Sequence, residues 1–195
     1  MITAVKRPLT WMCLIALGLI PSAIAGAGPE VFAVGRFSKL EPGGSIPHWQ
    51  PLTFKNIAST TRYALVKAED GATVLRADSR ASASGLVRKV NLRPGDYPWI
   101  TWRWKVDKTL EKGDISKKSG DDYAARIYIT FAEAPENLSF LERTKLAAIK
   151  LFYGEAPPAA ALTYVWGNRA AVGSIHPNAY TDRVQMIVLE SGPAH

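Results

Sequence analysis

The sequence has a single cysteine, Cys13, which lies in an apolar run near the amino terminus. If that run is removed as a signal, the mature chain has no thiol, which excludes disulfides, thiol catalysis and cysteine-ligated metals. Trp11 and Met12 stand before the cysteine instead of the small residues of a lipoprotein signal, so lipid attachment is not expected. An exported protein of this size without disulfides is typical of a bacterial periplasm or surface.

The sequence also lacks an apolar run long enough to cross a membrane. Its longest apolar stretch, residues 9–20, falls short of the roughly 20 residues that a spanning helix needs. Lys6 and Arg7 precede the run, and the segment 21–25 (PSAIA) follows it with the small-x-small pattern of a cleavage site. The pattern predicts a signal peptide over residues 1–25, cut after Ala25, and a periplasmic or secreted protein. The alternative is an uncleaved anchor, which the short run and the proline disfavour.

Sequence motifs of the common enzyme classes are missing too. There is no G-x-S-x-G, H-E-x-x-H, Walker A or Rossmann fingerprint, which removes the usual hydrolase, protease, NTPase and dehydrogenase interpretations. His48 and His176 are too sparse for a metal set, and no cofactor is expected. Lyases and glycosidases can work with scattered Tyr, Arg, Lys and carboxylate groups, so whether the protein is an enzyme stays open.

The charge balance is modestly positive. The formal net charge of +7 falls to +5 when Lys6 and Arg7 leave with the signal. Outside the cell such a balance favours anionic glycans or anionic envelope components over nucleic acid, although it is also an ordinary solubility feature.

What the sequence does contain is a series of short alternating strands. The segment 62–78 predicts a hairpin around Asp70-Gly71, a dipeptide suited to a tight primed turn. Residues 98–106 and 122–131 predict two adjacent central strands joined by a charged loop. In these two strands, alternation with period 2 predicts burial of Trp102, Trp104, Ile127 and Ile129. Further short strands are predicted over 31–37, 84–90, 161–167 and 183–189.

One helix is predicted among these strands. Ser139 and Glu142 have the spacing of a capping box, and Gly154 ends the pattern, so a helix is expected over residues 140–153. Strands at short spacing with turn residues between them favour an antiparallel β-sandwich of jelly-roll type over βαβ units. The prediction is a single mostly β domain over residues 26–195 with one inserted helix.

The strongest polar cluster is Ser119-Gly120-Asp121-Asp122, at the start of the second central strand. Its two carboxylates could bind calcium or hold an arginine, but strand alternation points them to opposite sides. The alternative is structural, with Asp121 ordering the turn and Asp122 pairing with Arg103 or Arg126.

A second candidate is the polar face of the two central strands. It carries Arg103, Lys105, Arg126, Tyr128 and Thr130. Tyr stacking on a sugar ring and Arg holding its acid group would suit a carboxylated or sulfated sugar, whereas the alternative is a solvated sheet face. The combined candidate ligand-binding set is Arg103, Asp121, Asp122, Arg126 and Tyr128.

These motifs together resemble a known family. The segments WRWKV, SGDD, IYITF and TYVWGN, with the Lys-rich loop between the first two, are similar to the uncharacterised bacterial family called domain of unknown function 3047. The resemblance covers residues 31–191 and implies an exported β-sandwich, not an activity. It also implies further strands beyond the position of Glu190, so we expect this chain to be truncated at its carboxyl terminus; the alternative is a tail that has diverged from the family.

The expected function is that of a periplasmic carbohydrate-binding or envelope-binding module. A glycan-active enzyme, either a lyase or a hydrolase, is the first alternative. A purely structural envelope protein is the second.

Overall fold

The computed structural model describes residues 2–5, 30–54, 57–131 and 160–193, and this part of the chain is mostly β. The predicted β class is therefore confirmed. The predicted helix over 140–153 lies outside the described residues, and the jelly-roll arrangement stays a prediction. Within the described ranges, no helix is long and apolar enough to span a membrane. The strands are β1 Ile2–Val5, β2 Val31–Gly35, β3 Gln50–Leu52, β4 Arg62–Lys67, β5 Thr73–Asp78, β6 Gly85–Val87, β7 Trp99–Thr101, β8 Ala125–Phe131, β9 Ala160–Gly167, β10 Ile175–Asn178 and β11 Thr181–Ser191.

The chain divides into two compact units, residues 1–103 and 104–195. The first unit holds a three-stranded sheet in the order β2-β1-β7 and two strand pairs, β3–β6 and β4–β5. The second holds a four-stranded sheet in the order β10-β11-β9-β8. Strand β11 runs parallel to β9, and the other described pairs are antiparallel. One domain over 26–195 stays a prediction, because compact units need not fold independently.

The predicted hairpin is present as β4 and β5, but its loop is longer than a two-residue turn. The last strand pair is Lys67 with Thr73. Gly71 donates its backbone N–H to Ala68 O at 2.9 Å and takes a φ of +77°, while Asp70 accepts the backbone N–H of Ala72 at 3.0 Å. A type I′ turn needs a positive φ at both central residues. Of Asp70 and Gly71, only Gly71 has one, so the Asp-Gly pair does not form a primed turn here.

The two predicted central strands do not pair with each other. Strand β7 covers residues 99–101 and pairs with β1, while β8 is an edge strand that pairs with β9. Exposure still alternates over residues 100–106 as predicted, although residues 102–106 form no ladder. Trp102 and Trp104 are half-buried, not buried, so the expectation of two full core positions is wrong.

Strand register in the second unit sets which side chains share a face of the four-stranded sheet. Tyr128 of β8 lies opposite Thr163 of β9, Thr163 beside Met186 of β11, and Met186 opposite His176 of β10. Residues in register across neighbouring strands project to the same side. This side, which we call the core face, also carries the buried Val165 and Val188, with Tyr123 packed in the same cluster.

Arg126 and Tyr128 therefore lie at one edge of the core face and not on a separate solvated face. The opposite face carries Ile127 and Ile129, which are half-buried and not buried as predicted. Both faces of β8 are partly buried. The alternation of apolar and polar residues predicted correctly which residues share a face of the strand, but not which face packs in the core.

Strand β1 lies inside the segment that the sequence predicts to be a signal. It is the central strand of its sheet, antiparallel to both β2 and β7. The hydroxyls of Thr3 and Thr101 are hydrogen-bonded at 2.7 Å. Removal after Ala25 would take this strand away, and export stays a prediction.

Candidate functional site

The loop before β8 is folded tightly on itself around Asp114. Its carboxylate accepts the backbone N–H of Ser116 at 3.0 Å and the Ser116 hydroxyl at 2.6 Å, and it pairs with Lys117 at 3.0 Å. These hydrogen bonds, the one from the Ser116 hydroxyl first, hold the pKa of Asp114 well below its usual range. Asp114 N–H donates to Gly120 O at 2.8 Å, which closes the loop and sets the position of Asp121.

Arg126 is the centre of the polar cluster. Its Nη1 donates to Asp121 Oδ1 at 3.1 Å and to the Tyr128 hydroxyl at 3.2 Å. The guanidinium also lies over the ring of Tyr123, 5.1 Å from its centre, and 5.8 Å from the centre of the Tyr128 ring. Its charge is thus balanced by Asp121. Arg126 mainly holds the neighbouring tyrosine rings and is less available to bind the acid group of a ligand.

The two tyrosines at Arg126 differ in accessibility. Tyr123 is buried, and burial, followed by the nearby Asp121 charge, raises its pKa to about 12. Its hydroxyl contacts Met186 Sδ at 3.8 Å. Tyr128 leaves 49% of its surface exposed, and burial of the remainder raises its pKa. Tyr128 therefore offers an aromatic surface whose hydroxyl is held by Arg126.

A cavity of about 350 Å³ lies next to this cluster, with Tyr123 as the shared residue. Arg169, an exposed residue of its lining, has no ion-pair partner among the described residues. The amide of Asn168 donates to Gly113 O at 3.5 Å, which ties one wall to the loop. The lining is Gly113, Asp114, Ile115, Tyr123, Asn168, Arg169, Ala170, Ala171, Ser174 and His176.

His176 and Ser174 are hydrogen-bonded inside the cavity, with 2.9 Å between Nε2 and Oγ. Ser174 donates its hydroxyl hydrogen to Ala171 O at 2.5 Å. The bond to the ring is therefore one in which Nε2–H donates and the serine accepts. Such a serine is not activated as a nucleophile, which removes a Ser–His hydrolase interpretation of this pair.

The structure brings three of the five predicted site residues together: Asp121, Arg126 and Tyr128. Asp122 is exposed, and the ion-pair partner of Arg126 is Asp121, so Arg126 is not the partner of Asp122 that the structural alternative considered beside Arg103. Arg103 is exposed and belongs to the first unit. No group of three His, Cys, Asp or Glu residues lies together in the described ranges, so nothing there supports the calcium interpretation.

Sequence reasoning missed the cavity residues Asn168, Arg169, Ser174 and His176. His176 was considered only as a metal ligand, and its strand, β10, was not predicted. The alternation of β11 was visible, but the pairing of His176 with Met186 is a register that one sequence does not display.

Comparison with known proteins then places the chain. Residues 47–195 match the family described as "Protein of unknown function (DUF3047)", which is most of the sequence. This chain belongs to that family. The match confirms the resemblance carried by the WRWKV, SGDD and TYVWGN segments. Neither the curated proteins nor the solved structures gave a match. Within DUF3047, the site must therefore be interpreted from its chemistry.

Proposed function

We propose that this DUF3047 protein is exported and binds an acidic saccharide, a sugar carrying a carboxylate, at the core face of its second unit. The observation that carries the proposal is a cavity with an arginine that has no ion-pair partner among the described residues, next to a fixed, half-exposed tyrosine ring. Its volume of about 350 Å³ lies at the lower end of the range of small-ligand sites, which suits one or two sugar residues.

Arg169 is the group suited to the carboxylate. It lines the cavity and has no ion-pair partner in the described part of the chain, so its guanidinium fork is available for a bidentate contact. Arg126 is not suited to this role, because its Nη1 already bonds to Asp121 and Tyr128.

Tyr128 is the group suited to a sugar ring. Its hydroxyl is held by Arg126, so little side-chain entropy is lost when a ligand stacks on the exposed part of the ring. Aromatic side chains with one apolar surface and one anchored polar end are frequent in recognition sites. A binding module therefore fits the observed geometry.

A lyase is the second candidate, because Tyr123 and His176 line the same cavity as Arg169. If Arg169 holds the carboxylate of a uronic acid, the proton on the adjacent ring carbon becomes acidic. Nδ1 of His176 would accept that proton, because Nε2 carries the hydrogen donated to Ser174. The electron pair then forms the ring double bond as the glycosidic C–O bond breaks, and the leaving sugar oxygen takes up the proton of the Tyr123 hydroxyl, which the proton held by His176 replaces through solvent.

The deciding experiment is a glycan-array screen with the purified chain, followed by a turnover assay on each ligand found. We expect uronic-acid oligosaccharides to bind more tightly than their neutral counterparts. Arg169→Gln should weaken that binding roughly 10-fold, as expected for one lost charge-assisted hydrogen bond. Arg93→Gln, an exposed arginine of the first unit outside the candidate set, is the matched control and should change nothing.

The turnover assay separates the two candidates. Absorbance of an unsaturated sugar product would identify a lyase, and binding without product would identify a module. Equal affinity for acidic and neutral sugars, or no glycan ligand at all, would contradict the proposal.

A further inference from the structure

A second polar cavity lies in the first unit, at the open end of the β4–β5 hairpin. Its volume is about 570 Å³. Three arginines and one carboxylate line it together with small hydroxyl side chains. The lining is Ser59, Thr60, Arg62, Arg76, Asp78, Arg80 and Ser82.

Strand register explains why the arginines converge. Arg62 lies directly opposite Asp78, and Arg76 lies opposite Ala64, so these side chains project from one face of the hairpin. The other face carries the buried Leu65 and points toward the interior. Arg80 follows Asp78 by two residues, just beyond the end of β5. One arginine therefore stands two residues before Asp78 and another stands two residues after it.

The carboxylate neutralises only part of this charge. Asp78 Oδ2 accepts Arg76 Nε at 3.1 Å. In the ranges that the structure describes, Arg62 and Arg80 have no ion-pair partner. Three guanidinium groups and one carboxylate leave a formal excess of two positive charges facing one cavity, which favours an anionic ligand.

The two segments that contribute to this cavity are joined by hydrogen bonds next to it. Ala83 N–H donates to Ser59 O at 3.1 Å, and Thr61 N–H donates to Ser84 Oγ at 3.0 Å. Tyr63, reaching from β4, donates its hydroxyl to Ser84 O at 2.8 Å. The site is therefore pre-organised on two connected segments and not on one free loop.

The turn that carries Arg80 is itself held in an unusual conformation. Ala81 has a φ of +46°, a backbone conformation that residues other than glycine rarely adopt. Ser79 donates its hydroxyl to Ser82 O at 2.8 Å, and the backbone N–H of Arg80 donates to Ser82 Oγ at 3.1 Å. Strain of this kind persists where surrounding bonds impose it, and it concentrates at ligand-binding sites.

We propose that this cavity, which we call the hairpin site, binds a tetrahedral oxyanion ester, either a phosphate monoester or a sulfate ester on a larger molecule. Two excess positive charges match the charge of a phosphate monoester, which is about −1.5 to −2 near neutral pH. Guanidinium forks and hydroxyl donors are the groups that bind such oxygens. The hairpin site lies in the first unit and does not depend on the function proposed for the second.

The test uses the full chain and two soluble probes, glucose 6-phosphate and glucose 6-sulfate, with affinity measured by calorimetry. Arg62→Gln and Arg80→Gln should each weaken binding by roughly 10-fold. Asp78→Asn should strengthen it several-fold, because it removes the carboxylate that competes for the arginines. Arg93→Gln, an exposed arginine of the same unit outside the cavity, is the matched control and should leave affinity unchanged.

The Asp78→Asn variant keeps the proposal falsifiable even if an arginine variant fails to fold, since misfolding cannot raise affinity. The cavity has no histidine, so lowering the pH from 7.5 to about 5 chiefly protonates the phosphate, whose second pKa is about 6. A higher affinity for the phosphate ester than for the sulfate ester at pH 7.5, weakened at pH 5, would identify a phosphate monoester as the ligand, whereas a higher affinity for the sulfate ester at both pH values would identify a sulfate ester. Binding of neither probe, or unchanged affinity in both arginine variants, would overturn the proposal.

Discussion

At the scale of single residues, the ion pair of Arg126 with Asp121 determines whether this arginine stabilises the strand or binds a ligand. Its side chain is 29% exposed and that of its partner Asp121 is 17% exposed. Two charges buried to this extent lose more hydration than those of a surface ion pair, so each depends more strongly on the presence of the other. The charge of Arg126 therefore stabilises the start of β8 and positions Tyr128.

The first prediction is that Arg126→Ala destabilises the fold by about 2 kcal/mol, because it leaves a half-buried carboxylate without its charged donor. Urea unfolding followed by fluorescence measures the change. Asp122→Ala, one residue from Asp121 but exposed and outside the pair, is the control and should stay within about 0.5 kcal/mol. Equal effects of the two substitutions would show that the pair with Asp121 contributes nothing to stability.

The same residues show what a single sequence can predict of a site. Asp121, Arg126 and Tyr128 lie within eight positions of one another, and strand alternation alone places Arg126 and Tyr128 on one side. Arg169 and His176 come from segments some forty to fifty residues further along the chain. Their meeting with Tyr123 depends on the pairing of β10, β11 and β9, which alternation does not specify.

At the scale of elements, the loop before β8 depends on close backbone contacts at Gly120. A Cβ at this position would lie 2.7 Å from both Asp114 Cβ and Asp114 O. These are backbone and near-backbone atoms that cannot rotate away, so the loop would have to open. The loop in turn positions Asp121 for its pair with Arg126, which links the glycine to the candidate site.

We predict that Gly120→Ala destabilises the protein by roughly 1–3 kcal/mol, the usual cost of forcing extra volume into a packed site. Thermal unfolding detects the change. The matched control is Gly95→Ala, where a Cβ would meet nothing within 4 Å. That control should be neutral, or stabilising by up to about 1 kcal/mol through the unfolded chain. If both variants melt at the wild-type temperature, the loop is not packed as described.

Elements were predictable where periodicity was strong and local. The hairpin β4–β5, the edge strand β2 and the long strands β9 and β11 were expected from alternation and turn residues. The strand over 98–106 was overestimated, since only 99–101 form a ladder while the exposure pattern continues. Side-chain burial and backbone pairing are separate properties, and a hydrophobicity pattern reports only the first.

At the scale of the whole molecule, export and the three-stranded sheet make competing demands on the first residues. A signal peptide over residues 1–25 would be removed after Ala25, yet β1 supplies backbone hydrogen bonds to strands on both of its sides. In a sheet ordered β2-β1-β7, loss of the middle strand leaves two edges that face each other. Backbone amides at an exposed strand edge are less protected from solvent, and such an edge can pair with strands of other molecules.

The last prediction compares the chain of residues 26–195 with the uncut chain by amide hydrogen exchange. We expect faster exchange in β2 and β7 of the shorter chain, because their partner β1 is gone. Exchange in β9 and β11 should be the same in both chains, since every described partner of these strands lies in the second unit, and they serve as the internal control. Equal protection of β2 and β7 in both chains would contradict the prediction and show that these strands do not rely on β1. Mass spectrometry of the exported protein completes the test, because a species beginning at Gly26 would establish that the cell makes the shorter chain.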